Sequence, residues 1–354
     1  MIRTLPMGQT FRSLRHRNYR LYFFGQAISL IGNWIQSIAM GWLVFRLTNS
    51  ALLLGVVGFA GQIPSLLITP FAGVFADKVD RRKVLVTTQA ISMMIALALS
   101  FLILTNRIQV IYIIIAAVLN GCTIAIDTPF RHSFIINLVE DKNDLPNAIA
   151  LNSTLFNSAR FIGPPIGGFL IAIAGEGICF LINGLSYIAV IASLLAMYVK
   201  AYDIPQKTTS IFSDLINGIK YAYNTSHLRI LIIMVITTSF MGLPFQVFMP
   251  VFAKEILGGD SQTLGFLTGA LGAGALTGAL ILATQTTIKK IPDIILISAT
   301  MFSIGLLAFT NSTNLFLSLF TLAITGFGMI VILASCNTLL QTAINEDMRG
   351  RIVS

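Results

Sequence analysis

Three charged residues stand where lipid should be. In "AIDTPFRHSF", Asp127 and Arg131 are four residues apart, so on a helix they share one face. Asp127 lies about three turns inside an apolar run, where an unpaired charge costs about 2.5–3.5 kcal/mol on insertion scales. It must pair or face water. Three readings are open for it: a gate acid that holds an arginine of the preceding basic loop, a proton-carrying site, and a structural pair with Arg131. Arg160, in "NSARFIGPP", is the one basic residue committed to the hydrocarbon. Such a guanidinium lines a cavity for anion recognition or coupling, or closes an internal pair, with Asp127 one available partner. Asn33, Gln36, Gln62, Asn152, Asn157, Asn183, Gln246 and Asn337 are amides inside apolar runs. Each alone is helix-packing glue, worth about 0.6 kcal/mol on average; together they can line a central path. In "GPPIGG", Pro164 and Pro165 remove backbone donors and bend a helix. Gly163, Gly167 and Gly168 let a neighbouring helix come close, which suits a helix that rocks between two packings.

Other chemistry is poorly served. A membrane enzyme needs acids, histidines or nucleophiles clustered at one depth, and Asp127 has no such company in the hydrocarbon. Cys122, Cys179 and Cys336 lie in apolar runs without ligand spacing and read as small buried hydrophobes. His16, His132 and His227 sit at span edges and read as interfacial anchors. Neither a metal nor a cofactor is expected.

The elements that must hold these residues follow from composition. The chain is 55% hydrophobic and 10% charged, against about a quarter charged in a soluble domain. Lipid must cover what polar groups cannot. The net charge of +9 comes from basic residues set between apolar runs, which points to membrane topology and away from nucleic acid. A span needs roughly 20 apolar residues. Ten runs qualify: about 21–45, 52–76, 84–104, 110–135, 147–173, 178–199, 229–252, 263–284, 292–310 and 315–340. The first follows a basic head but is too long for a cleaved signal. Nineteen Lys and Arg fall on the side of the amino-terminal arm and three (Arg46, Arg107, Lys254) on the other, which predicts a cytoplasmic N-terminus. The longest polar stretch between spans, 201–226, reads as a linker, with a short surface helix near 211–223. The sequences around it repeat: 18–55 runs parallel to 227–265, and 136–144 to 342–350. Parallel halves of six spans are a transporter plan. The expectation is therefore an all-α integral membrane protein: a six-helix bundle over 1–200, the linker, and an incomplete second bundle over 227–354 with four spans.

One loop concentrates charge. In "GVFADKVDRRK", six of the seven residues from Asp77 to Lys83 are charged. Gly73, Asp77, Lys78, Arg81 and Arg82 fit the G-x-x-x-D-[RK]-x-G-[RK]-[RK] loop between spans 2 and 3 of the major facilitator superfamily, which this chain resembles. The motif's second glycine is Asp80 here, which puts the tight turn in question. Gly163-Pro164-x-x-Gly167-Gly168 resembles the superfamily's antiporter motif, although Leu155 and Arg160 occupy the stretch of its upstream glycines. With "FRSLRHRNYRLYFFGQ", "DTPFRHSF" and "CFLINGLSY", the chain is similar to the branch that contains enterobactin exporters and macrolide efflux proteins. That resemblance implies twelve spans, a monomer in the cell inner membrane, and proton-driven export of a small organic molecule such as a siderophore or drug. It further implies a latch in which Asp77 docks on span 11 and Arg81 or Arg82 on an acid of span 4. Ten spans of twelve read as a truncated gene or fragment, expected to transport poorly. The alternatives are a non-transporting remnant and a lysophospholipid transporter.

Overall fold

The computed structural model describes residues 11–75, 79–198, 223–283 and 291–343. Among them, nine helices are long and apolar enough to cross a membrane. They are α1 (Arg17–Thr48), α2 (Ala51–Phe75), α3 (Arg81–Leu104), α4 (Val110–Leu138), α5 (Leu145–Ala196), α6 (Ser226–Val247), α7 (Ser261–Ala283), α8 (Ile291–Thr310) and α9 (Leu315–Ala343). At about 1.5 Å per residue, α5 would be more than twice as long as the hydrocarbon is thick. It breaks at Gly175 (φ 78°, ψ 170°), a conformation open essentially to glycine alone. Its two arms are the fifth and sixth spans, so ten crossings result. The expected linker lies mostly outside the described residues, as do Asp77 and Lys78.

Local chemistry sets the ends. Asp80 stands in extended conformation before α3, and its carboxylate accepts from the backbone N–H groups of Arg82 (3.0 Å) and Lys83 (3.3 Å). The residue that replaces the motif's glycine is therefore a helix N-cap. Asp260 does the same for α7, accepting from Gln262 and Thr263. Asn49 closes α1 in the left-handed region, and its N–H donates to the Phe45 carbonyl.

Outward faces are apolar: Leu52, Leu66, Phe240 and Phe316 are each more than 70% exposed. Lipid is as apolar as these side chains, so it cannot drive helices together; close packing and polar contacts must. Buried side chains gather in three cores. One joins both halves, with Ile35, Ile38, Leu43 and Ile171 against Phe245, Met249, Leu264, Leu267 and Leu271. The second belongs to the first half alone, around Tyr19, Tyr22, Phe130, Phe134 and Leu194. The third belongs to the second half alone, around Ile291, Phe302, Ile332 and Cys336. Following the chain through its turns places the shared core toward the end that carries Arg46 and Ser261. The two separate cores lie toward the end that carries Arg81, Arg82 and Lys83, called the basic end below.

Candidate functional site

The halves meet along a strip of glycine. On the first arm of α5, Gly163 and Gly167 face α1: a Cβ at Gly163 would lie 2.5 Å from that of Trp34, and one at Gly167 3.1 Å from the Ile35 Cα. Pro164, Pro165 and Gly168 face α7. A Cβ at Gly265 would come within 2.7 Å of the Pro164 carbonyl oxygen, and one at Gly269 within 2.6 Å of the Pro165 ring. A Cβ at Gly272 would come within 2.8 Å of the Phe161 Cα. The Ser261 hydroxyl donates to the Gly168 carbonyl at 3.0 Å. Gly163, Pro164, Gly167 and Gly168 thus form a strip packed closely on two sides. Gly265, Gly269 and Gly272, its counterpart on α7, were legible as small residues three and four apart in "GFLTGALG".

Arg160 marks where the strip ends. Nearer the basic end, α5 turns to the first half, where the Ala148 carbonyl accepts from Tyr19 Oη at 2.8 Å. There α7 turns to the second half, with Gly274 and Gly278 against Ala323, Phe327 and Val331 of α9. Arg160 is only 7% exposed. Its Nη2 donates to Gln246 Oε1 of α6 across the seam at 3.2 Å, and its guanidinium lies 5.5 Å from the centroid of the Trp34 ring. Gln246 Nε2 in turn approaches Met329 Sδ at 3.7 Å. The Nε of Arg160 has no hydrogen-bond partner, nor has Oδ1 of Asn157, whose amide donates to the Ser153 carbonyl. The expected internal pair of Arg160 with Asp127 is not formed; the partners of Asp127 lie elsewhere.

Asp127 belongs to a polar knot inside the first half. It is 3% exposed and accepts from Thr88 Oγ1 (2.8 Å) and Gln89 Nε2 (2.7 Å) of α3. It is ion-paired with Arg131 on its own helix, and Arg131 Nη1 also donates to Gln26 Oε1 of α1 at 3.3 Å. The expected arginines of the loop go to carbonyls in this conformation: Arg81 Nη1 donates to Ser133 O and Arg82 Nη2 to Leu195 O. Gly73 lies in the last turn of α2, two residues before its end at Phe75. Asn33, Gln36 and Asn183, read as candidates for a path, bond one another: the Asn183 amide donates to Gln36 Oε1 (2.8 Å) and Asn33 Oδ1 (3.2 Å), and Tyr187 Oη donates to Asn33 Oδ1 (2.6 Å). They tie α1 to the second arm of α5. Asn152 meets Tyr22 Oη at 3.5 Å.

Two clasps escaped the sequence. Glu176, 6% exposed, accepts from Arg46 at 2.6 Å and pins α1 to α5 beside the Gly175 break. Its signal was an acid at the edge of a span, in "GEGICF", with a basic counterpart in the loop after span 1. At the opposite end, Asp144 pairs with Arg12 (2.8 Å) and His16 (3.1 Å), while Asn147 Oδ1 accepts from the N–H and hydroxyl of Ser13. His16 is therefore a clasp residue and more than an anchor.

Comparison with known proteins agrees with this geometry. The model of the transmembrane secretion effector family matches residues 8–354. The staphyloferrin A transporter of Staphylococcus aureus is 27% identical over 81% of this chain and 72% of its own length. The multidrug efflux pump Tap of Mycolicibacterium fortuitum is 25% identical over 94% of this chain and 83% of its own. Among solved structures, an inward-facing, unoccupied bacterial homologue of the human lysosomal transporter Spinster superposes with a TM-score of 0.70. It covers 95% of this chain and 78% of its own, at 14% identity.

Proposed function

The chain belongs to the transmembrane secretion effector family of major facilitator transporters, a multi-pass membrane family, and from that premise we propose that it exports a small organic molecule by alternating access, driven by a proton gradient. One observation carries the reading: a single core and a glycine strip join the halves at one end, while each half keeps its own core at the other. That is the shape of a protein with one gate closed and the other parted. Rocking about the α5–α7 strip would exchange the two. The bias of Lys and Arg supports a cytoplasmic basic end in an inner membrane, so this state opens to the cytoplasm. In the opposite state the loop with Gly73, Asp77, Lys78, Arg81 and Arg82 would latch the closed cytoplasmic side. The relatives, a staphyloferrin A transporter and a multidrug pump, support a siderophore-like or drug-like cargo; a monomeric carrier with no enzymatic step is part of the same proposal.

Everted membrane vesicles test this. Chain-dependent uptake of at least one siderophore, macrolide or lysophospholipid should appear when the vesicle lumen is made acidic relative to the medium, and collapse with a protonophore. Uptake that is indifferent to the gradient would reject the coupling. No uptake of any class would reject the export reading.

A further inference from the structure

Arg160 is a guanidinium nine-tenths buried, at the point where the halves part, with no acid paired to it among the described residues. Among the described residues, its polar partner is an uncharged amide, Gln246 Oε1 at 3.2 Å, and its face lies 5.5 Å from the Trp34 ring centre. Its Nε is left without a partner. Buried cations are ordinarily paired and buried N–H groups ordinarily bonded, so this arrangement lacks both a counter-charge and an acceptor. Arg131, the other arginine inside a span, also has an unpartnered Nε, but it has a counter-charge in Asp127, so the missing acid is what sets Arg160 apart. One turn before Arg160, Asn157 also holds an unpartnered side-chain oxygen, and residues three apart share a helix face.

We propose that the cargo is an organic anion, and that a two-oxygen anionic group, a carboxylate or phosphate, docks on Arg160 at the apex of the seam. Such a group accepts two parallel N–H bonds from a guanidinium, one of them from the vacant Nε. Trp34 orients the guanidinium plane from the first half. Gln246 reaches it from the second, so the bound anion touches residues that respond to both halves. Asn157 Oδ1 accepts a hydroxyl or N–H carried beside the anion. The charge of the cargo would neutralise the Arg160 guanidinium, which makes the loaded site easier to enclose than the empty one. The proposal rests on the seam being the cargo path, and its test is therefore an equilibrium one that needs no transport.

The full chain in lipid nanodiscs is titrated with paired probes of one scaffold: citrate against its triamide, and a lysophosphatidate against the matching monoacylglycerol. Trp fluorescence reports binding. The anionic member of at least one pair should bind about ten- to hundredfold more tightly than its neutral partner, and Arg160→Gln should reduce that preference to about twofold or less. The winning pair distinguishes a soluble carboxylate from a lipid headgroup. Arg160→Lys, which keeps the charge, should retain part of the preference and guards against a variant that fails to fold. Equal binding of acid and neutral partner, a preference that survives Arg160→Gln, or no binding of either anion at millimolar concentration would each overturn the proposal. Gradient-driven uptake of a neutral drug in vesicles, alongside any of these results, would leave the export reading standing while removing the anion.

Discussion

Asp127 shows what one residue in this fold is asked to do. Its carboxylate meets a cation, a hydroxyl and an amide from two helices, so every partner loses something if the charge goes. Asp127→Asn leaves Arg131 buried without its counter-ion and should cost about 3 kcal/mol of stability. Asp127→Asn combined with Arg131→Gln should recover most of it. Loss of the monodisperse peak on heating in detergent measures both, and a double variant no better than the single would show that the pair is not the source. The same variants sort the remaining readings: retained downhill flux with lost pH-driven flux assigns the proton to Asp127, whereas loss of both assigns a gate. The pairing with Arg131 was legible because both residues lie on one helix. Gln26 and Gln89 were not, because they approach from 105 and 38 residues away and no local period encodes that meeting.

At the scale of elements, two glycines do different work. Gly175 has open space around its α-carbon but a positive φ, so Gly175→Ala is opposed by backbone alone. It should cost about 1–3 kcal/mol in thermal stability without altering the packing of α7. Gly265 is the reverse case, with backbone of Pro164, Pro165 and Gly168 where a side chain would go. Gly265→Val should wedge α5 from α7, a strain of about 1–3 kcal/mol that is enough to shift the balance of two states. Labelling of a cysteine at Ser261 by a membrane-impermeant maleimide should rise at least about tenfold, and unchanged labelling would show that the strip is not the seal. The ten apolar runs read from the sequence match the ten crossings, since hydropathy reports the hydrocarbon directly. Helix ends fared less well: α1 starts at Arg17, four residues before the apolar run, because a helix continues through the headgroup layer that hydropathy does not see. Asp80 was likewise read against a glycine in a motif, when its own chemistry is that of a cap.

Across the whole molecule, the closed end offers a lock. A Cβ at Gly41 of α1 would sit 3.3 Å from the Pro250 ring in the segment after α6. With the native cysteines removed, Gly41→Cys and Pro250→Cys together should cross-link under oxidation, stop export, and release it on reduction. Normal export by the cross-linked protein would contradict alternating access about this end. The repeat and the basic loops are the sequence features that suggest two halves. The residues that join the halves were not legible, because Arg160 meets Gln246 86 positions away and only the folded seam sets that register. A last consequence concerns time. The bonds that hold α1 run to α5: Tyr19 to Ala148 and Tyr187 to Asn33, 129 and 154 residues apart. At ribosomal speeds of about 5–20 residues per second, α1 waits roughly 6–30 s for them. Through that interval Asn33 and Gln36 are in the bilayer before Asn183 exists. The newborn helix therefore has to borrow its hydrogen bonds, from the insertion machinery or from water at its edge, and hand them over when the sixth span arrives.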